Sequence, residues 1–300
     1  MTFNRYRNLT YKSINMRLLL RLMMALLLVS MTACSTKLAY NNLDWIVSWY
    51  VDDYVTLTST QEKQLDSSIE SLLLWHRKTE LQNYVVQIKY IKIDLNNGIK
   101  HSTVKNYINA LKQFWDAILL KAEPDVMRLA YSLSDKQVTK LLAEIEQQNL
   151  KKINDFHNSS EKERLKARFE RIEEQIIEFT GPLDRQQKKL LTQLNGSLLS
   201  AFEQRLQFRR NWAKSIAAAY QLRQQKHNNE SDRVQFEQAL RPALINTNSL
   251  RSEKYLAIFE HNQAKWVEFL PQLISSLNAK QLSSVQSKLD DIITDIQGLY

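Results

Sequence analysis

From Thr58 to the C-terminus apolar residues recur at the three-and-four spacing of helix faces. Leu65, Ile69, Leu72 and His76 fall on one stripe of a helix that opens at Thr58, and Thr79 restarts it. The run stops at Asn96-Asn97-Gly98, a typical C-terminal signal. Ser102 or Thr103 opens the next helix, with Val104, Ile108, Leu111 and Trp115 on one face and Pro124 near its end. Further helices are predicted at about 134–157, 160–179, 184–226, 231–246, 249–274 and 278–298. Gly181-Pro182 and the polar run from Lys226 to Ser231 are the clearest breaks, and no stretch reads as a domain linker. The pattern predicts an all-α fold: a single domain of about eight or nine helices, arranged as an elongated antiparallel bundle.

Composition narrows the choice in the same direction. Glycine and proline together number 8 in 300 residues, where average usage would give about 36. So few turn formers cannot cut a chain into many short strands, which disfavours sandwiches, barrels and glycine-loop α/β folds. One cysteine, Cys34, excludes a disulfide framework and a thiolate metal cluster.

Four segments share one form: LTSTQ at 57–61, LSDKQ at 133–137, LDRQQ at 183–187 and LNAKQ at 277–281. Each is a leucine, a capping residue, two spacers and a glutamine, which reads as an N-cap with Gln at N3 after an apolar N′ residue. Val138 and Leu282 complete hydrophobic staples in two of them. The starts lie 76, 50 and 94 residues apart, so no regular solenoid is implied. Capping boxes are common in helical proteins, and generic capping accounts for part of the likeness. The pattern also resembles the LTxxQ signature of small periplasmic chaperones of the Spy type, helical cradles that hold unfolded proteins.

The N-terminus reads as an address. From Met16, Arg17 and Arg21 give a basic start, Leu22 to Val29 an apolar run, and Thr32-Ala33 precede Cys34. This is the pattern of a signal peptide over residues 1–33, with Met16 as the functional start. The apolar run is shorter than the ~20 residues a bilayer span needs. Thr-Ala-Cys resembles the bacterial lipobox, which implies acylation of Cys34; Met31 stands where leucine is commoner. Ser35 favours the outer membrane by resemblance to enterobacterial sorting, and more than one acyl chain makes a stable anchor. Removing the five basic residues before Cys34 leaves 36 basic against 32 acidic side chains, a charge of +4 rather than +9. The basic pI is then partly a leader effect, and no nucleic-acid partner is expected. Residues 34–56 follow as a membrane-proximal aromatic segment with Trp45, Trp49, Tyr50 and Tyr54 as candidate membrane or partner contacts. The alternative is a first helix docked on the core. Residues 57–300 form the helical domain.

The runs YNNLDWIVSWYVDDYVTLTSTQ (40–61), WHRKTELQNY (75–84), FWDAILLKAEP (114–124), and RFERIEE with GPLDRQQ (168–187) resemble an uncharacterised family of Gram-negative lipoproteins. The resemblance covers essentially the whole mature chain and implies an envelope address, with no assigned activity.

Little in the chain reads as catalytic. His76, His101, His157, His227 and His261 lack zinc-site spacing, and no metal or cofactor is expected. His76 reads as a hydrogen-bonded core histidine. The pairs Asp52-Asp53, Glu173-Glu174 and Asp290-Asp291 would suit a glycosidase couple only if they converged, and adjacent helical residues point about 100° apart. The arginines are more informative. Arg164, Arg168 and Arg171 share a face of one helix, and Arg205 and Arg209 share the face of Leu198, Phe202, Trp212, Ile216 and Tyr220 on another. Guanidinium groups beside apolar stripes need partners. Either Glu80, Asp116, Glu123 or Glu178 pairs with them and fixes helix register, or Arg164, Arg168, Arg171, Arg205, Arg209 and Trp212 line a binding groove for an extended polypeptide, an anionic glycan or a lipid headgroup.

These readings converge on a non-enzymatic lipoprotein, anchored in the outer membrane and facing the periplasm, that binds polypeptide clients as a chaperone or assembly factor. A scaffold lipoprotein docking one envelope partner through the aromatic segment is the first alternative. An enzyme acting on cell wall or lipid is the second.

Overall fold

A computed structural model describes residues 37–224 and 230–300. The lipidation expected at Cys34 and the leader before it lie outside the described residues. The chain divides into a unit of residues 1–43 and a unit of residues 44–300. In the first, residues 37–41 are helical, and Asn42 Nδ2 donates to Leu38 O at 2.7 Å.

The second unit is built of helices alone among its described residues. In chain order these are α1 (Leu43–Asp52), α2 (Ser59–Thr79), α3 (Leu81–Asn97), α4 (His101–Ser132), α5 (Asp135–His157), α6 (Glu161–Thr180), α7 (Arg185–Ser197), α8 (Phe202–Gln224) and α9 (Glu230–Leu244). A 3-10 turn (Thr247–Leu250), α10 (Glu253–Ser275) and α11 (Ala279–Gln297) complete it. The all-α expectation holds, but the described residues from Leu43 onward form eleven α-helices and one 3-10 turn where eight or nine helices were expected. Helix 184–226 is two, α7 and α8, separated at residues 198–201. Pro124 ends nothing, since α4 runs through it to Ser132. The expected stops at Gly98 and Gly181 are real, with φ of 86° and 73° at the two glycines.

All four leucine-to-glutamine segments form capping boxes: Thr58 with Gln61, Ser134 with Gln137, Asp184 with Gln187 and Asn278 with Gln281. Their glutamines do more. Gln187 and Gln281 each donate Nε2 to the other's Oε1 at 2.9 Å. Gln187 Nε2 also donates to Ser276 O at 3.0 Å, and Gln281 Nε2 to Pro182 O at 2.9 Å. Each carbonyl lies two residues before the partner's capping residue, so the pair is two-fold symmetric. Gln61 and Gln137 repeat it: Gln137 Nε2 donates to Gln61 Oε1 at 2.7 Å and to Thr56 O at 2.8 Å, and Gln61 Nε2 to Ser132 O at 2.9 Å. Counting the bond each Oε1 accepts from its own N-cap N–H, these amides fill all their hydrogen-bonding positions. That is why Gln187 can be wholly buried without the usual cost of a buried polar group.

Each glutamine pair sits against a hydrophobic cluster. Leu57, Leu133 and Val138 around the first pair join Met127 of α4, Ile216 and Tyr220 of α8 and Phe236 and Leu240 of α9. Leu183 beside the second joins Ile172 of α6, Leu191 and Leu194 of α7 and Phe269 and Leu273 of α10. A third cluster holds Leu95, Ile99, Val104, Val267 and Leu289, from α3, α4, α10 and α11 with the turn between α3 and α4. The break between α7 and α8 lies beside the second cluster.

Candidate functional site

Three consecutive positions of the α6 arginine face and the start of α8 meet in one cavity of about 610 Å³, lined by Arg164, Arg168, Arg171, Arg205, Trp266 and residues 198–202 among others. The α7–α8 break makes its floor. Asn262 of α10 secures that break by accepting from Leu199 N–H at 2.9 Å and donating to Leu199 O at 3.0 Å.

The four guanidinium groups are not equivalent. Arg164 donates to Phe156 O at 2.9 Å and to Ser159 O, at the C-terminal end of α5. Its guanidinium lies 4.0 Å from the centre of the Phe156 ring, which stacks on Phe202 at 3.8 Å. Arg168 donates from Nε to Asn195 Oδ1 at 2.7 Å, from Nη2 to Asn195 O at 2.5 Å and from Nη1 to Leu198 O at 3.2 Å. Both arginines thus place a cation on the open carbonyls of a helix C-terminus, where the dipole favours it. Burial lowers the pKa of Arg168, and neighbouring Arg171 adds to the effect. The group still stays charged.

Arg171 and Arg205 are exposed, and among the described residues their guanidinium groups make no hydrogen bond or ion pair. Of the carboxylates expected to hold the arginines, Glu123 pairs with Arg241 at 2.6 Å and Glu178 with Lys288 at 2.9 Å. Among the described residues no carboxylate lies within ion-pair distance of Arg164, Arg168, Arg171 or Arg205. Glu161 contributes the cavity's carboxylate, so the wall carries a net positive charge. Apolar surface from Leu165, Leu198, Leu199, Phe202 and Trp266 lies between the charges.

Arg209 and Trp212, expected in the same groove, lie elsewhere. Arg209 Nε donates to Asn149 Oδ1 at 2.5 Å across the α5–α8 contact, with Asn149 fully buried. Trp212 donates to Ala243 O at 2.7 Å and packs on the first cluster. The face that was to unite them with Leu198 does not exist, because Leu198 precedes the α8 start. Arg209 is held by an amide of α5 and by none of the four expected carboxylates, while Arg171 and Arg205 stand on the cavity wall.

Of the aromatic residues expected at a surface, Trp45, Trp49 and Tyr50 are 68%, 59% and 57% exposed. Tyr54 is half-buried, donating to Gln148 Oε1 at 2.7 Å. Val51, Val55 and Leu57 turn into the first cluster, so the segment docks on the core by one side and presents indole rings on the other. His76 is half-buried and hydrogen-bonded to the Tyr84 hydroxyl at 3.0 Å. Among the described residues no group of three or more His, Cys, Asp or Glu gathers as a metal site, and no helix is long and apolar enough to cross a membrane.

Sequence reasoning missed Phe156, Asn262 and Trp266 as walls of the cavity. Nothing in their spacing relates them to α6; only the packing of α5 and α10 does.

Residues 53–256 match the model of a family of unknown function, DUF6279. That is more than half of the chain, which therefore belongs to this family. No curated protein and no solved structure matches it.

Proposed function

Membership of that family brings no activity with it, and from the cavity itself we propose that the protein is a non-enzymatic envelope lipoprotein that holds polypeptide clients. In this reading Cys34 carries the lipid anchor, the outer membrane holds it, and the helical unit faces the periplasm as a chaperone or assembly factor. One observation carries the reading: Arg171 and Arg205 stand exposed and unneutralised in a concave wall of mixed basic and apolar character. A client segment with acidic and apolar side chains meets both needs, through charge-assisted hydrogen bonds and burial of side chains. The four LTxxQ-like segments lend no separate support, because their glutamines are consumed in helix-start pairs and do not line the cavity. Hydrolysis of a glycosidic bond takes two facing carboxyl groups, and Glu161 is the carboxylate this wall supplies.

The test is covalent capture in intact cells, with a photo-crosslinking residue at Leu165, Arg205 or Trp49 in turn. Client binding predicts many unrelated envelope proteins at Leu165 and Arg205. The exposed indoles of Trp45 and Trp49 favour a second reading, docking of one envelope partner. It predicts a single dominant adduct at Trp49 and none at Arg205. Protein-free lanes at all three positions overturn both readings.

A further inference from the structure

Beyond the arginine wall lies a second cavity of about 430 Å³ between α3, α4, α6, α10 and α11. It is walled almost wholly by aliphatic and aromatic side chains, among them Ile99, Ile108, Ile176, Phe179 and Leu273. Three polar residues, Tyr107, Gln175 and Thr180, share that wall, and two of them have partners outside it. Tyr107 donates its hydroxyl to Asp94, and the Thr180 hydroxyl has Gly181 O at 2.8 Å and Ile176 O at 3.0 Å as acceptors for its one hydrogen. Leu111, 65% exposed, marks its mouth.

The two cavities share a wall. Trp266 lines both, and α6 passes from one to the other: Arg168 and Arg171 face the basic cavity, Ile172 and Gln175 the apolar one. Arg171 and Gln175 are one helical turn apart, about 6 Å along the axis. Arg171, which makes no ion pair among the described residues, thus stands one helical turn from Gln175 on the wall of the apolar cavity.

We infer that the apolar cavity binds the acyl chain of a long-chain fatty acid whose carboxylate is held by Arg171 at the Trp266 boundary. A peptide fits the slot poorly, because its amides would be buried without hydrogen-bond partners; an acyl chain has none to satisfy. The volume lies at the small end of the ~300–1,000 Å³ of ligand pockets, which suits one chain rather than the two of a diacyl lipid. Charge complementarity fixes the orientation, since Arg171 offers a carboxylate two parallel N–H donors.

The test uses the full chain carrying Cys34→Ala, which removes any covalent acyl group, titrated with a fluorescent palmitate analogue and then with competitors. Saturable binding at one equivalent, displaced by palmitate and at least about tenfold less well by methyl palmitate, supports the inference. Arg171→Glu is expected to weaken palmitate about tenfold and leave methyl palmitate unchanged, while Ile176→Trp, which fills the slot, weakens both. Arg171→Glu changes an exposed side chain, so circular dichroism should show an unaltered fold, and it keeps the test valid if Ile176→Trp does not fold. Equal affinity for acid and ester, stronger displacement by lysophosphatidate than by palmitate, or displacement by an acidic apolar peptide as strong as by palmitate would overturn it. Loss of palmitate binding with crosslinked clients retained at Arg205 would sink this inference alone; the converse would sink client binding alone.

Discussion

Four arginines in one cavity do two different things, and the difference lies in what each guanidinium touches. Arg164 and Arg168 are spent on the carbonyls that close α5 and α7, whereas Arg171 and Arg205 are spent on nothing within the described residues. Arg168→Ala is accordingly expected to lower stability by about 1–3 kcal/mol in urea unfolding, because acceptors on buried Asn195 and half-buried Leu198 lose a charged donor. Arg205→Glu should leave the unfolding free energy within about 0.5 kcal/mol of the parent while abolishing client adducts. Equal losses of stability in the two variants would refute this division of labour. His76 shows the same dependence on surroundings. Burial lowers its pKa below 6.5, with Glu80 opposing. The unfolded chain then binds the proton more readily, so stability is fully present above pH 6.5 and falls as the pH drops below it. His76→Gln should flatten that acid limb, as thermal melts across the pH range would reveal.

At the level of helices, boundaries decide the site. A continuous helix over 184–226 would carry Leu198 and Phe202 on one stripe with Arg205 and Arg209, and leave no hollow. Breaking it at residues 198–201 gives the cavity a floor of backbone and apolar side chains, pinned by Asn262. The joint between α6 and α7 depends on one residue. Gly181 has φ 73° and ψ −169°, a region open essentially to glycine alone, and it precedes Pro182. A Cβ there would meet no atom within 4 Å, so Gly181→Ala isolates the backbone cost. The expected loss is about 1–3 kcal/mol, read from chemical denaturation; a neutral result would mean that the α6–α7 turn relaxes freely.

Over the whole molecule, residues 76 and 94 positions apart are joined by the same device, a reciprocal pair of glutamine amides at two helix starts. Gln187→Ala should cost about 3 kcal/mol or more, since it removes the N3 half of a capping box and orphans buried groups on Gln281 and Ser276. The half-buried Gln137 should cost about 1 kcal/mol on the same change. Equal costs would show that only local capping matters. This contrast marks what was legible in advance. The caps at Thr58, Ser134, Asp184 and Asn278 and the stops at Gly98 and Gly181 rest on contacts within a few residues, and a one-dimensional pattern records such contacts. The all-α class follows from periodicity and from the scarcity of glycine and proline. The arginine face of α6 was legible too, because helical period alone sets it. Which glutamines pair was not, because the amide hydrogens left over after capping name no partner in the spacing. Nor was the company of Arg171, whose neighbours Arg205 and Trp266 arrive on helices 34 and 95 residues later. Sequence by itself determined the helices, their caps and the faces they carry; tertiary packing alone decided which faces meet. The reason is range: a turn or a cap is settled by neighbours along the chain, whereas a cavity is settled by how separate helices cross.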